Sequence, residues 1–181
     1  MKDKNPIVTP DAQDSPALVY TSVQRKLHWW VVVLLLVQWL ASDGMVAAMA
    51  LQAKQQSPGA IVFLGSTLHL FSGLAVFCLV LVRIGLRCTP ENRRRRQNAA
   101  RQPVWVLSLA GVTQVLMYVV LVLMPLTGML AYFFSSDFGV TAHSYLGRGL
   151  LALVLLHVLG ALFHRLVRKD GIWERMVRIS L

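Results

Sequence analysis

Four long apolar segments divide the chain, and most charged residues lie between or outside them. They occupy residues 29–51, 60–86, 104–134 and 145–167. A helix needs about 20 mostly apolar residues to cross the hydrocarbon core of a bilayer, and each segment is that long. The first is not a cleavable signal peptide, because its apolar stretch is too long and no small-residue cleavage site ends a short core. The pattern predicts an all-α integral membrane protein with four spans.

The connections between these segments are short, so consecutive helices should run antiparallel. An up-down four-helix bundle is the simplest arrangement that results. We expect this transmembrane domain at residues 20–169, between a mobile cytoplasmic tail at residues 1–19 and a second cytoplasmic tail at residues 170–181. The connections in the 50s and around residues 135–141 are too short to form an outward domain. A compact bundle also leaves little room for an aqueous channel.

Composition favours a membrane protein over a soluble one. The 181 residues are 56% hydrophobic and 14% charged, with a mean hydropathy of +0.58. Soluble domains are about 25% charged, so this chain is poor in charge. Cys78 and Cys88 are too few for a disulfide scaffold. The sequence has no Cys-x-x-Cys-His motif, which excludes covalent c-type haem attachment.

The net charge of +10 is concentrated at one side of the predicted bundle. Residues 87–101 hold six arginines, including the run at residues 93–96, and further basic residues lie near both termini. Only Lys54 and Arg148 lie on the opposite side. Basic residues near span ends stay cytoplasmic, so both termini and the second connection should face the cytoplasm. The arginine run therefore indicates orientation rather than nucleic-acid or lipid recognition.

Five histidines lie in or near the spans, at His28, His69, His143, His157 and His164. Ionisable side chains are costly in a bilayer and usually mark function, although each histidine alone also fits a hydrogen-bonded core residue. His143 and His157 are 14 residues apart, which places them on one helix face, within about 40° and about 21 Å apart. His69 shares the depth of His143, and His28 lies at the cytoplasmic end of its span. The pattern predicts one histidine pair near each membrane face.

Bis-histidine pairs between bundle helices hold b-type haem without a covalent link. Zinc fits poorly, because it requires three or four ligands at one point. A proton relay is an alternative, but such relays usually include carboxylates, and Asp43 is the only acidic residue within the spans.

Small residues lie one helical turn from three of the histidines and favour space for a flat macrocycle, although helix packing also uses them. They are Gly65, Gly73, Gly147, Gly160 and Ala161. Arg83 lies 14 residues after His69 on the same face. It would pair with a haem propionate or extend to the cytoplasmic surface.

Several motifs recur in a known order along the chain from residue 20 to the C-terminus. They are Leu27-His28-Trp29, His69-x-x-x-Gly73 with Arg83 and Arg87, Met124-Pro125-Leu126-Thr127-Gly128, the three histidines His143, His157 and His164, and Asp170-Gly171 with Arg175-Met176. This set resembles the bacterial cytochrome b561 family, di-haem b proteins of the inner membrane. The chain departs from the family pattern in His164-Arg165, where His-His is frequent, and in a shorter connection between the third and fourth spans.

The resemblance implies two non-covalent, bis-histidine b-type haems. The outer haem would be held by His69 and His143, and the inner haem by His28 and His157. Depth alone would pair His28 with His164 instead. Under the family pairing, His164 is a candidate quinone contact or propionate partner, or an interfacial histidine without a role.

The resemblance also implies one-electron transfer across the membrane, with superoxide oxidised at the periplasmic face and ubiquinone reduced. The chain would then be a superoxide:ubiquinone oxidoreductase or an electron carrier, and no catalytic residue is assigned. Lys54 and Arg148 would attract an anion, although the reading of them as ordinary surface or anchor charges is the stronger one. Expected partners are membrane lipid, quinone and superoxide, with no nucleic acid and with the protein partner left open.

Two alternatives remain at this point. One is a haem b membrane-anchor subunit that passes electrons between a hydrogenase- or dehydrogenase-type partner and the quinone pool. The other is a haem-free membrane transporter or structural protein.

Overall fold

The computed structural model describes residues 21–92 and 104–169 and residue 177, without the side chains of residues 104–110. The expected N-terminal tail, the arginine run at residues 93–96 and the motifs at residues 170–171 and 175–176 lie outside the described residues. So does the expected C-terminal tail except for residue 177. Every regular element in the described part is helical.

The first predicted span is a bent pair of helices. Helix α1 is Ser22–Leu40 and helix α2 is Ser42–Ala53, and their axes differ by 46°. Thr21 begins α1 with a capping box, in which the backbone and side chain of Thr21 and Gln24 bond reciprocally. At the bend, the Ser42 hydroxyl donates to the Trp39 carbonyl at 2.7 Å. Such side-chain bonds compete with the helical ladder and bend helices.

The other predicted spans are single long helices. Helix α3 is Ala60–Cys88, α4 is Val104–Phe134 with Pro125 inside it, and α5 is Asp137–Phe163. A π-helical turn, His164–Arg168, continues α5. Three helices are long and apolar enough to cross a membrane, and a fourth span results if α1 and α2 count as one. The structure thus supports three or four spans.

The connection between α4 and α5 is shorter than the predicted outward segment at residues 135–141. Only Ser135 and Ser136 separate the two helices, and Ser135 has a left-handed φ of 49° that turns the chain sharply. The Ser136 side chain accepts a hydrogen bond from the Gly139 backbone N–H at 3.2 Å and so caps α5. Polar residues that predicted a connection therefore form the first turns of α5.

Helix α3 is central: it packs against α1, α2 and α4, and α4 in turn packs against α5. Five buried aliphatic side chains form the core of the assembly, with two from α3 and one each from α1, α4 and α5. They are Val31, Val76, Val80, Leu121 and Leu150. Most other large apolar side chains in the described helices are exposed, including Leu40 at 78%. This outward apolar surface is typical of a bilayer-facing bundle.

Candidate functional site

Two pairs of histidine rings face each other at different heights in the helical assembly. The rings of His28 on α1 and His157 on α5 have centroids 6.2 Å apart, with planes at 67°. The rings of His69 on α3 and His143 on α5 are also 6.2 Å apart, with planes at 65°. We call them the 28/157 pair and the 69/143 pair. These are the pairings that the family resemblance implied, and His164 is not part of either.

The ring separation fits one metal ion between each pair. Each ring would contribute a nitrogen–metal bond of about 2.0 Å and about 1.1 Å from that nitrogen to the ring centre. Two rings on one metal ion therefore require roughly 6.2–6.4 Å between centroids. No cluster of three or more histidine, cysteine, aspartate or glutamate ligands exists among the described residues. A closed tetrahedral site made of these side chains alone is therefore excluded. A metal at either pair needs its other ligands from elsewhere, such as the four nitrogens of a porphyrin.

The imidazoles of the 69/143 pair are oriented by backbone carbonyls. His69 donates from Nδ1 to the Gln38 carbonyl at 3.1 Å, and His143 donates from Nδ1 to the Met124 carbonyl at 2.9 Å. Each bond fixes the tautomer that leaves Nε2 free as an electron-pair donor. Metal-ligating histidines almost always carry such a bond on their second nitrogen.

The segment around Pro125 contacts the imidazole of His143 and fixes its position. The Thr127 hydroxyl donates to the Met124 carbonyl at 3.0 Å and lies 3.4 Å from His143 Nδ1. A Cβ at Gly128 would lie 3.2 Å from His143 Cε1, closer than ordinary contact. Glycine at this position therefore leaves the space that the imidazole occupies. These contacts give a physical role to residues 124–128, which the sequence showed only as a motif.

Arg83 lies beside the 28/157 pair. Its Nη1 donates to the Gln24 carbonyl at 3.2 Å, which ties α3 to the first turn of α1. Its positive charge is close enough to act on the rings of both His28 and His157. The side chain is half-buried. This position suits an anionic group next to the histidine pair.

Sequence analysis missed Arg25, which it counted only among the orienting charges. The residue is 3% exposed, and its Nε and Nη1 are buried without a hydrogen-bond partner among the described residues. Arg25 lies three residues before His28, on the same face of α1. That spacing is the signal that would have found it. A buried guanidinium is costly without an anion, so this site calls for one.

Space for a planar group is distributed unevenly around the histidines. Helix α5 carries one histidine of each pair, yet in the described part of the chain it packs closely against α4 rather than against α1 or α3. A Cβ at Gly160 would meet no atom within 4 Å, and one at Gly147 would meet only Met124 Cε at 3.8 Å. These two glycines fit the expected macrocycle space.

The other two glycines of that prediction contact protein groups. A Cβ at Gly65 would lie 3.0 Å from the Gly44 Cα, so Gly65 lets α2 and α3 touch. A Cβ at Gly73 would collide with the side-chain amide of Gln38. Gly65 therefore serves helix packing, the alternative raised for it above.

A buried aliphatic layer separates the two pairs. Leu150 lies midway between His143 and His157 along α5, seven residues from each, and it belongs to the buried core. Val31 lies one turn after His28 and belongs to the same core. The separation of the two α5 histidines along the helix axis is about 21 Å. Any charge exchanged between the pairs must cross this layer.

His164 lies beyond the 28/157 pair, at the start of the π-helical turn. Its ring packs edge-on against Phe163, with centroids 6.1 Å apart. Single π-helical turns are rare and frequently mark functional sites.

Comparison with known proteins identifies the family of the chain. The family model described as prokaryotic cytochrome b561 matches residues 19–178, almost the whole chain. The chain belongs to the prokaryotic cytochrome b561 family. It is also 31% identical to cytochrome b562 of Cereibacter sphaeroides over 162 residues, which are 88% of this chain and 95% of that protein. No solved structure gave a significant match.

The resemblance inferred from the sequence is thereby confirmed, and the chain is a haem b membrane electron-transfer protein of the cytochrome b561 family. The described residues fit the cofactor. Two pairs of rings stand at the separation of a bis-imidazole iron, and the 69/143 pair carries the expected bonds on Nδ1. Arg25, whose buried Nε and Nη1 have no hydrogen-bond partner among the described residues, lies one turn before His28 on α1. When bound, haem b supplies reversible one-electron chemistry.

Proposed function

We propose that this chain carries single electrons across the membrane between two non-covalent b-type haems, oxidising superoxide at the periplasmic face and reducing ubiquinone. The observation that carries the proposal is the pair of histidine sites stacked on α5 about 21 Å apart. That separation covers much of a hydrocarbon core of about 30 Å. Two sites at different depths suit transfer across a membrane rather than chemistry at one surface.

The proposed ligands are the two histidine pairs. His69 and His143 would hold the haem nearer the periplasm, and His28 and His157 would hold the haem nearer the cytoplasm. The orientation rests on the basic residues around the connection after α3 and near both termini. Counting α1 and α2 as one span gives an up-down bundle in the bacterial inner membrane, with both termini cytoplasmic. Lipid would cover the exposed apolar side chains.

Oxidation of superoxide is proposed to occur without oxygen binding to iron, because two imidazoles leave no open coordination position. Two superoxide anions would each give up one electron and leave as dioxygen. One ubiquinone would take both electrons and two protons and leave as ubiquinol. Arg148 stacks on the Tyr145 ring at 4.9 Å and, with Lys54, supplies positive charge on the proposed periplasmic side. Such charge attracts an anion over a distance set by ionic strength.

His164 is the proposed quinone contact. It follows His157 by seven residues, which places it two turns further toward the proposed cytoplasmic face. Its imidazole is a suitable proton donor to a reduced quinone, because its unperturbed pKa lies near neutrality.

Two measurements test the proposal. Purified protein should show a reduced-minus-oxidised α-band and two haems per chain, and stopped-flow mixing with a superoxide pulse should reduce them. Absence of an α-band would refute electron transfer through haem. Haem reduction no faster than the competing disproportionation would refute the superoxide donor, and co-purification of a catalytic subunit would then favour the membrane-anchor alternative.

A further inference from the structure

Arg25 is the most deeply buried charged side chain that the structure describes. It is 3% exposed, and two of its three guanidinium nitrogens are buried without a hydrogen-bond partner among the described residues. A basic residue at the end of a membrane helix normally extends its head group into water or the lipid headgroups. Arg25 does the opposite, although the neighbouring Lys26 is exposed. Burial of an unpaired ion is unfavourable, so this guanidinium needs an anion beside it.

The position of Arg25 indicates which anion. Arg25 lies one turn before His28 on the same helix face, and Arg83 from α3 donates to the carbonyl of Gln24, the residue adjacent to Arg25. Arginines from two helices are therefore placed at the first turn of α1, one turn before His28. Haem b carries two propionate carboxylates at one edge. Arginine binds carboxylates with parallel N–H donors, so two arginines match two propionates in number and chemistry.

The 69/143 pair has a different electrostatic environment. Both of its imidazoles donate from Nδ1 to backbone carbonyls, which increases the electron donation of the ligands to a bound metal. Arg148, the arginine closest to it in sequence, is exposed and stacks on Tyr145. Stronger donation favours the oxidised state of an iron centre. Nearby positive charge, such as that of Arg83 beside the 28/157 pair and of Arg25 one turn before His28, favours the reduced state.

We propose that Arg25, together with Arg83, binds the propionate carboxylates of the haem at the 28/157 pair and makes this site the more oxidising of the two. An electron that has crossed the aliphatic layer would then rest at the 28/157 pair, on the proposed cytoplasmic side. This inference rests on the proposed function, because it assumes a haem at each pair. It adds a binding residue that neither the family motifs quoted above nor the histidine pattern contains.

The test is a potentiometric titration of the full-length protein with both haems bound. In R25Q, the one-electron reduction equilibrium of the 28/157 haem should become at least tenfold less favourable, a fall of about 59 mV in its midpoint. The other midpoint should not change. H143A, which keeps only the 28/157 haem, assigns the two midpoints. K26Q removes an equal charge from the next, exposed residue and should leave both midpoints unchanged.

A midpoint of the 28/157 haem that is the same in R25Q and wild type would overturn the inference, while two bound haems would leave the proposed function intact. If R25Q does not retain that haem, R25K decides. Retention of the haem in R25K supports the carboxylate contact if its midpoint lies within about 59 mV of the wild-type midpoint. Loss of the haem in R25K as well overturns it, because the charge is kept. Wild-type protein without haem would overturn the proposed function and this inference together.

Discussion

The imidazole of His143 donates a hydrogen bond from Nδ1 to the backbone carbonyl of Met124, at 2.9 Å. This bond joins α5 to α4 at the residue before Pro125, which itself has no backbone N–H. It orients the ring toward His69, whose own Nδ1 is bonded in the same way to Gln38. The ring position therefore depends on backbone groups of neighbouring helices as well as on the histidine itself.

Removal of either histidine of the 69/143 pair should abolish one haem and leave the other. Each of H69A and H143A should give one haem per chain by pyridine haemochrome assay against protein concentration, because the 28/157 pair uses different side chains. H164A is the matched control and should retain two haems. Two haems per chain in both H69A and H143A would contradict the ligand assignment.

A methyl group at Gly128 should disturb the His143 ring. Its Cβ would lie 3.2 Å from Cε1, so G128A should move the imidazole by a few tenths of an ångström and shift the spectrum and midpoint of one haem only. The measurement is a redox titration with low-temperature α-band spectra. G149A on α5 is the control, because its added Cβ would meet no atom within 4 Å. Equal spectra for G128A and wild type would contradict the close contact between Gly128 and the His143 ring.

The close approach of α2 and α3 should make Gly65 sensitive to size. A Cβ there lies 3.0 Å from the Gly44 Cα, so G65A should destabilise the fold by about 1–3 kcal/mol, the usual cost of overpacking. Thermal unfolding in detergent, followed by loss of the haem Soret band, measures this. G85A lies on the same helix with no atom within 4 Å of its new Cβ, and its unfolding temperature should match or exceed that of wild type.

Replacement of His164 should separate quinone reduction from haem binding. H164A should keep both haems and their spectra and should slow reoxidation of the reduced protein by a ubiquinone analogue, because the proposed proton donor is lost. Stopped-flow reoxidation measures the rate. Reoxidation at the wild-type rate would remove His164 from the proposed quinone site.

Positive charge on the proposed periplasmic side should accelerate the reaction with superoxide. R148Q should lower the second-order rate constant of haem reduction by a few-fold at low ionic strength, and this difference should shrink toward 0.15 M salt as screening increases. K54Q, at the residue that follows α2, gives the matched comparison. A salt-independent rate in wild type would exclude electrostatic attraction of the anion.

Hydrophobic segments predicted the long helices closely, because an apolar run of fixed minimum length is what a bilayer requires. Residues 104–134 form α4 with the predicted bounds. The bend at Ala41 could not be predicted, since it involves a local bond between Ser42 and Trp39 in a segment without proline. The early start of α5 was also missed, because its first turns contain polar residues that only a cap at Ser136 makes helical.

The sequence predicted the histidines of the site but not Arg25. Helical spacing placed His143 and His157 on one face of one helix, as the structure has them. Depth alone favoured His164 as the partner of His28, whereas the structure brings His28 to His157. Counting residues from the membrane face takes no account of helix tilt or of the bend after α1. Arg25 escaped notice because charge near a span end already had an explanation in membrane orientation.

Under the proposed function, the aliphatic layer around Leu150 would make electron transfer sensitive to voltage. His143 and His157 are about 21 Å apart along α5, about two-thirds of the hydrocarbon core, so an electron that passes between the two pairs would traverse a similar share of the membrane's electric field. Moving one charge through the whole field requires about 2.3 kcal/mol per 100 mV. In the proposed orientation, with the cell interior negative, inward transfer runs against that field. An energised membrane would then restrain the reaction, and a depolarised one would release it.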